Sequence, residues 1–202
     1  MVSNDPAILA GAPDPVPRLA QWLADAEREE PNNPTAMSVA SVGADGRPSL
    51  RVLLLRGFDE RGLVFYTNLS SRKGREFQNN PWVALCFHWK SLARQLRVEG
   101  QVVPVSAAEA DAYFAGRPRD SQIGAWASRQ SETLHSRADL TARVEKYAAR
   151  YALGEVPRPP FWSGLRVIPQ RIEFWVEQAS RLHERDCYER TQSGWQTSLL
   201  SP

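Results

Sequence analysis

Much of this chain alternates hydrophobic and polar positions with the two-residue period of half-buried strands, and a few stretches switch to a helical period. From Pro15, the spacing of Leu19, Trp22, Leu23 and Ala26 predicts an amphipathic helix that ends before Pro31 and Pro34. Residues 37–42 and 50–56 flank an Ala44-Asp45-Gly46-Arg47-Pro48 turn and predict a hairpin. A second turn, Asp59-Glu60-Arg61-Gly62, leads into a strand at 63–67, so the first half reads as an antiparallel meander. Residues 82–89 predict a fourth strand. In 94–103, Gln95, Arg97 and Glu99 alternate with Leu96 and Val98, as a strand with one wet face requires. Residues 166–177 and the stretches around Tyr188 and Trp195 return to strand character.

Three further helices interrupt this pattern. One begins within Asn68-Leu69-Ser70-Ser71-Arg72-Lys73-Gly74-Arg75-Glu76, where two adjacent cations at its first turn oppose the helix macrodipole; a bound anion would remove the conflict, and a solvated basic turn is the plainer alternative. Ser106-Ala107-Ala108-Glu109 is a capping box, and its helix carries Ala112, Tyr113 and Phe114 up to Gly116. Residues 136–153 place Leu140, Val144, Tyr147 and Tyr151 on one face, most simply a core-facing stripe, before the stiff connector 154–160. Residues 1–14 carry no period and read as a mobile arm, leaving 15–202 as a single domain. The pattern predicts a mainly β fold with helices, an antiparallel sheet closed into a barrel with helices outside.

Composition narrows the chemistry. With 25 basic and 23 acidic residues interleaved, the net charge is only +2, which argues against nucleic acid as a partner. The two cysteines, Cys86 and Cys187, sit in no ligand spacing and suggest a reduced, cytoplasmic protein. Three scattered histidines give no metal pattern. No leader or membrane-length apolar run is expected.

The densest chemistry lies in Arg117-Pro118-Arg119-Asp120-Ser121-Gln122-Ile123-Gly124-Ala125-Trp126, followed by Ala127-Ser128-Arg129-Gln130-Ser131-Glu132. Pro118 should end one element at Arg117 and place Ser121 near the start of the next. A serine hydroxyl and backbone N–H groups beside an arginine make a phosphate seat; the same residues also suit a plain helix start capped by Asp120 or Ser121.

Arg51-Val-Leu-Leu-Leu-Arg56, Phe65-Tyr-Thr67, Ser71-Arg-Lys-Gly74, the stretch 117–126, Glu173-Phe-Trp175 and Arg181-Leu-His-Glu-Arg185 together resemble the pyridoxamine 5′-phosphate oxidases. That resemblance runs from about Pro15 to the C-terminus. It implies an FMN-binding split β-barrel of antiparallel, Greek-key type with peripheral helices, and a homodimer with its site at the subunit interface. It assigns FMN to Arg51, Val52, Tyr66, Thr67, Arg72 and Lys73 of one subunit, and to Gln95, Gln130, Ser131, Trp175 and Arg185 of the partner. The substrate phosphate would meet Arg56, Tyr113, Arg117 and Ser121. Arg181 and His183 would be the catalytic pair, lying against the pyridine ring and the reacting C4′ carbon. The implied reaction turns pyridoxamine or pyridoxine 5′-phosphate into pyridoxal 5′-phosphate, with O2 as acceptor and H2O2 as by-product.

Four positions depart from the family pattern. Arg56 stands where lysine is usual, and Asn33 where an acidic residue is common. The N-terminal arm lacks the Arg-x-x-Tyr element, and the tail Ser198-Leu-Leu-Ser-Pro202 lacks its usual arginine. An alternative is an FMN oxidase of the same fold acting on a dihydrophenazine-type secondary metabolite. Those relatives share Arg-Leu-His-Glu-Arg but generally lack the intact Arg-Pro-Arg-Asp-Ser-Gln element. A flavin or pyridoxal phosphate carrier without catalysis is a third reading, against which the retained Arg181 and His183 argue.

Overall fold

The computed structural model describes residues 14–202, so the expected N-terminal arm lies almost wholly outside the described residues. The elements run α1 (Val16–Glu29), β1 (Ala36–Val42), β2 (Pro48–Leu54), β3 (Gly57–Asp59), β4 (Gly62–Asn68), α2 (Arg72–Asn79), β5 (Trp82–Trp89), β6 (Arg94–Pro104), α3 (Ala107–Ala115), α4 (Arg119–Ala127), α5 (Arg137–Arg150), β7 (Trp162–Val176), β8 (Glu184–Thr191) and β9 (Gly194–Leu199).

All nine strands form one antiparallel sheet, ordered β2-β1-β5-β6-β7-β4-β3, with β8 added to β7 and β9 to β8. The expected meander is therefore corrected. β1–β2 and β3–β4 are hairpins, but β1 turns next to β5, and β4 next to β7. The expected strand 50–56 also breaks. Leu55 N–H still donates to Thr35 beside β1, while Arg56 N–H donates to Val64 on β4. One segment thus hands over from one edge of the sheet to the other at Leu55 and Arg56 and closes the barrel.

The long strand β7 divides the sheet. It pairs with β6 along nearly its whole length. On its other edge Trp162 to Val167 pair with β4, and Arg171 to Val176 pair with β8. The change of neighbour falls at a bulge, where the register slips between Glu99 and Gly100 and Gly100 faces Pro169. A Cβ at Gly100 would lie 2.1 Å from the Ile168 carbonyl oxygen, so only glycine allows this approach.

The core follows from strand alternation. Val39, Leu85, Val98 and Ile172, directly opposite one another across four strands, are at most 1% exposed. α1 closes this core through Leu19, Trp22 and Ala26, with Trp22 edge-on to Phe174 at 4.9 Å and to Trp89 at 6.4 Å. The other face of the sheet carries Val52, Ser38, Cys86, Arg97, Glu173 and Cys187 as a row in register. Its rim leaves Leu50, Val52 and Trp82 exposed at 68%, 66% and 48%.

α5 follows its stripe only in part, meeting the edge of the smaller core cluster of Phe114, Ile123, Val156 and Trp162 through its two tyrosines. None of its residues is buried. Tyr147 and Tyr151 instead pack on Trp126 of α4 and leave Leu140 and Val144 at the surface. Asn33 adopts a left-handed φ of 49°, a conformation asparagine tolerates better than most residues.

Candidate active site

A cavity of about 540 Å³ opens between β2, β4, α2, α3 and α4. Of the residues singled out from sequence, Val52, Arg56, Tyr66, Thr67, Lys73, Tyr113, Arg117, Ser121 and Gln130 line it. Arg56, Tyr113, Arg117 and Ser121 also line an adjoining lobe, so the four expected phosphate contacts converge on one corner.

Local structure explains why. The break at Leu55 and Arg56 turns Arg56 out of the sheet toward this corner. Half of the capping box forms: Ser106 Oγ accepts the Glu109 N–H at 3.1 Å, while Glu109 Oε1 accepts from Arg166 Nη2 at 2.8 Å, and α3 carries Tyr113. Pro118 then starts α4 without any side-chain cap, so neither Asp120 nor Ser121 has the capping role and Ser121 faces the cavity. Gln122 donates to the Phe114 and Ala115 carbonyls at 2.9 and 3.2 Å and locks the α3–α4 corner. Arg119 is structural: it donates to the Gly154 and Tyr151 carbonyls at the end of α5.

Arg117 is different. Its guanidinium lies over Trp162 at 4.7 Å and Phe114 at 5.5 Å, and its buried Nη1 has no hydrogen-bond partner. Burial holds its pKa below the usual arginine range, and the charge of Arg56 pushes the same way. An unpaired buried N–H is costly, and an anion in this corner would satisfy it. Beside it Tyr66 stacks on Tyr113 at 3.7 Å and 5°, and on Trp162 at 5.3 Å. Gly164 makes room for that stack, since a Cβ there would sit 2.7 Å from the Tyr66 ring.

The second cationic corner lies at the start of α2. Ser71 caps the helix by accepting the Gly74 N–H. Lys73 is only 8% exposed, and its Nζ donates to Gln130 Oε1 at 2.7 Å and to Ser71 Oγ at 3.4 Å. Burial, helped by the charge of Arg51, lowers its pKa to about 8. Gln130 was expected from the partner subunit but enters this pocket from its own chain, because the link after α4 runs past α2. Ser131 follows it, exposed and left-handed with φ 72°, and does not line the cavity.

Arg51 and Arg72 stop short of the cavity lining. They share one buried carboxylate, Glu76, which accepts from Arg72 Nε at 2.8 Å, Arg51 Nη2 at 3.2 Å, Ser41 Oγ at 2.5 Å and Ser49 Oγ at 2.6 Å. Its pKa falls to about 2 because these hydrogen bonds and charges outweigh burial. No sequence motif pointed to Glu76, which reads as an ordinary polar helix position.

The remaining expected residues gather elsewhere. Gln95, Trp175 and Arg185 form a cross-strand row on β6, β7 and β8. The His183 ring lies 4.6 Å from Trp175, and its Nδ1 accepts the Gln178 N–H at 3.2 Å. That bond leaves Nδ1 without a proton and places the ring proton on Nε2. Ser180 and Arg181 both adopt left-handed φ, 57° and 61°, an uncommon pair that bends the loop and exposes Leu182 at 69%. Trp175 lies eleven residues along β7 from Gly164, the partner of Tyr66. At about 3.3 Å per residue that is roughly 36 Å of strand. One chain therefore holds the cavity on the β4 side and the Arg181–His183 loop at the far end of β7, on the β8 side.

The cavity fits a flat ligand bearing phosphate. It pairs an aromatic stack with two separate cationic corners, one with an unpaired arginine N–H and one with a buried lysine held by two neutral oxygens.

Known proteins show the same arrangement of sequence. Residues 23–152 match the family model described as pyridoxamine 5′-phosphate oxidase, and residues 162–202 match the pyridoxine 5′-phosphate oxidase C-terminal dimerisation region. A pyridoxine/pyridoxamine 5′-phosphate oxidase from Rhodospirillum rubrum is 58% identical over 194 residues, covering 94% of this chain and 96% of its own. One from Sphingopyxis alaskensis is 58% identical over 189 residues, covering 94% and 88%. Among solved structures, PhzG from Burkholderia lata in complex with tetrahydrophenazine-1-carboxylic acid aligns with a TM-score of 0.88 at 35% identity over 95% of both chains. A pyridoxamine 5′-phosphate oxidase-related, FMN binding protein from Nostoc punctiforme shares the fold, with a TM-score of 0.75 at 19% identity over 95% of this chain and 99% of its own.

Proposed function

The chain belongs to the pyridoxamine 5′-phosphate oxidase family, and from that premise we infer that it is an FMN-dependent oxidase of pyridoxamine 5′-phosphate or pyridoxine 5′-phosphate. The product is pyridoxal 5′-phosphate, with O2 as acceptor and H2O2 as by-product. The observation that carries the substrate assignment is the convergence of Arg117, whose Nη1 has no hydrogen-bond partner, with Arg56, Tyr113 and Ser121 on one corner of the cavity. A phosphate there gains two guanidiniums and two hydroxyls.

Lys73 would hold the FMN phosphate at the start of α2, with Arg72 beside it on the rim and paired to Glu76, and with Val52, Tyr66 and Thr67 lining the space. When bound, the flavin supplies hydride acceptance and the return of electrons to O2. The protein's part is to bind and orient. Arg117 and Arg56 hold the substrate by its phosphate. His183 offers Nε2–H as a donor, since its Nδ1 accepts the Gln178 N–H. Arg181 adds a fixed positive charge two residues away.

The two halves meet across a homodimer in this reading, the loop of one subunit covering the cavity of the other. The match of residues 162–202 to the dimerisation region supports it, as does the exposed apolar rim of Leu50, Val52 and Trp82 on the outer sheet face. Among the described residues no helix is long and apolar enough to cross a membrane, and the free cysteines Cys86 and Cys187 suit the cytoplasm.

The function is tested by aerobic turnover of pyridoxamine 5′-phosphate by the FMN-loaded protein, following aldehyde and peroxide together, with unphosphorylated pyridoxamine as control. Stoichiometric products from the phosphorylated substrate alone are expected. Bound flavin without such turnover would favour an oxidase of a tricyclic metabolite, the class of ligand held by the Burkholderia lata structure.

The flavin seat makes its own prediction. In the apoprotein Lys73 loses its proton near pH 8, and only the ammonium attracts the phosphate. FMN affinity should therefore fall by about tenfold between pH 7 and pH 9. Fluorescence titrations at the two values check this. Lys73→Met should bind weakly at both and lose the pH dependence; a wild-type Kd independent of pH would refute the assignment.

A further inference from the structure

Glu173 is a carboxylate with no solvent and three arginines. It is 2% exposed, and it sits on the face of the sheet opposite the α1-covered core. Its Oε1 accepts Arg185 Nε at 2.9 Å, its Oε2 accepts Arg97 Nη1 at 3.2 Å, and Arg171 Nη2 lies 3.8 Å away. A buried ion pair adds little net stability over an apolar replacement, so stability alone is a weak reason to bury this group.

The geometry of Arg185 supplies a stronger one. Arg185 stands opposite Trp175, in the row with Gln95, and Glu173 lies two residues along the same strand. The carboxylate draws the side chain diagonally across β7. A second bond, from Nη1 to the Ser201 carbonyl at 2.9 Å, fixes the other end of the fork. Two of the three guanidinium nitrogens are thereby engaged. Nη2 has no protein partner among the described residues, and it is not buried.

We propose that Glu173 is a positioning residue: it sets the guanidinium plane of Arg185 so that the free Nη2 edge meets FMN held in the partner's cavity. This rests on the reading of Arg185 as a flavin-binding residue. Glu173 itself touches no cofactor. It acts by removing the rotamer freedom of a long side chain before binding, which would otherwise be lost when the flavin docks. The hydrogen bond from Arg185 to Glu173 also raises the arginine pKa, so the charge it presents is constant.

The test is the Kd for FMN of the purified apoprotein, by flavin fluorescence, in Arg185→Ala, Glu173→Gln, the double variant and Arg97→Gln. Arg185→Ala and Glu173→Gln should each weaken FMN by about tenfold or more, and the double variant should be no weaker than Arg185→Ala. Arg97→Gln removes a pair from the same carboxylate without touching Arg185 and should stay within about twofold of wild type. A wild-type Kd for Glu173→Gln beside a weakened Arg185→Ala overturns the positioning role alone. Multiplying effects in the double variant, or an equal loss in Arg97→Gln, overturn it too, since either means that Glu173 acts through general stability. An unchanged Arg185→Ala overturns the flavin assignment beneath it. Should Glu173→Gln fail to fold, Arg185→Lys asks the same question: one ammonium cannot meet Glu173, the Ser201 carbonyl and the flavin in one plane. A Kd as weak as that of Arg185→Ala supports the proposal, and a wild-type Kd overturns it.

Discussion

Arg117→Ala should cost about 2–5 kcal/mol of transition-state binding for the phosphorylated substrate, a loss of roughly 30-fold or more in kcat/KM carried mainly by KM. The size follows from the surroundings of the side chain. Its Nη1 is buried and unpaired, and the ring faces of Trp162 and Phe114 exclude water from one side of the fork. A phosphate oxygen in that corner therefore meets a poorly solvated charge, where electrostatic contacts are worth most. Unphosphorylated pyridoxamine should lose little, because it never used the contact. Thermal stability of the apoprotein should stay close to wild type. Truncation forfeits the cation–π contacts, about 0.5–2 kcal/mol, and removes an unsatisfied buried donor that costs about 1–3 kcal/mol. Arg117→Lys should recover only part of the loss, since an ammonium cannot keep the planar stack on Trp162 while reaching the phosphate. Steady-state kinetics with both substrates, beside thermal melts, decide the matter: equal losses on both would mean that Arg117 supports the fold and not the phosphate.

The contrast between Arg117 and Arg119 shows what the sequence could and could not reveal. Both guanidiniums flank Pro118 and look alike in the motif, yet one ties down the end of α5 and the other is left unpaired in the cavity. Local signals located the elements well. The Asp-Gly turn, the helix start at Ser106 and the helix start at Ser71 all formed where residue types demanded them, though Glu109 pairs with Arg166 and leaves the capping box half made. The order of strands was not legible, because alternation records which face is wet and says nothing of which neighbour a strand takes. The split of β7 between β4 and β8 depends on a bulge beside Gly100 and Pro169, residues that read individually as ordinary strand interruptions. The carboxylate hubs were missed for a related reason. Glu76 and Glu173 occupy positions where an acidic residue suggests solvent, and only the packing shows each buried among arginines. The stripe on α5 misled only in part, since its tyrosines lean on α4 and the sheet never receives the helix.

Mixing two impaired variants should restore activity when the substrate is held well below the KM of the cavity variant. A subunit with Arg117→Ala keeps an intact loop, and one with His183→Ala keeps an intact cavity. In a symmetric dimer whose sites are shared, each heterodimer then has one site with both defects and one with neither. Random exchange makes half of the dimers mixed, so about one quarter of wild-type sites should return. The structure makes the outcome sharp, because the two halves stand on opposite ends of β7, one on the segment paired with β4 and the other beyond the segment paired with β8. Their separation is set by the rigid strand between them, and no rotamer change at Arg181 or His183 spans it. The measurement is turnover of pyridoxamine 5′-phosphate after the two purified variants are mixed under conditions that permit subunit exchange, with each variant alone as the baseline. If the site were built within one chain, every chain in the mixture would carry a lesion and activity would stay at that baseline. Heterodimers isolated by a tag on one variant should reach about one half of the wild-type rate per dimer, since one of their two sites is intact. Only shared sites give both the one-quarter and the one-half value.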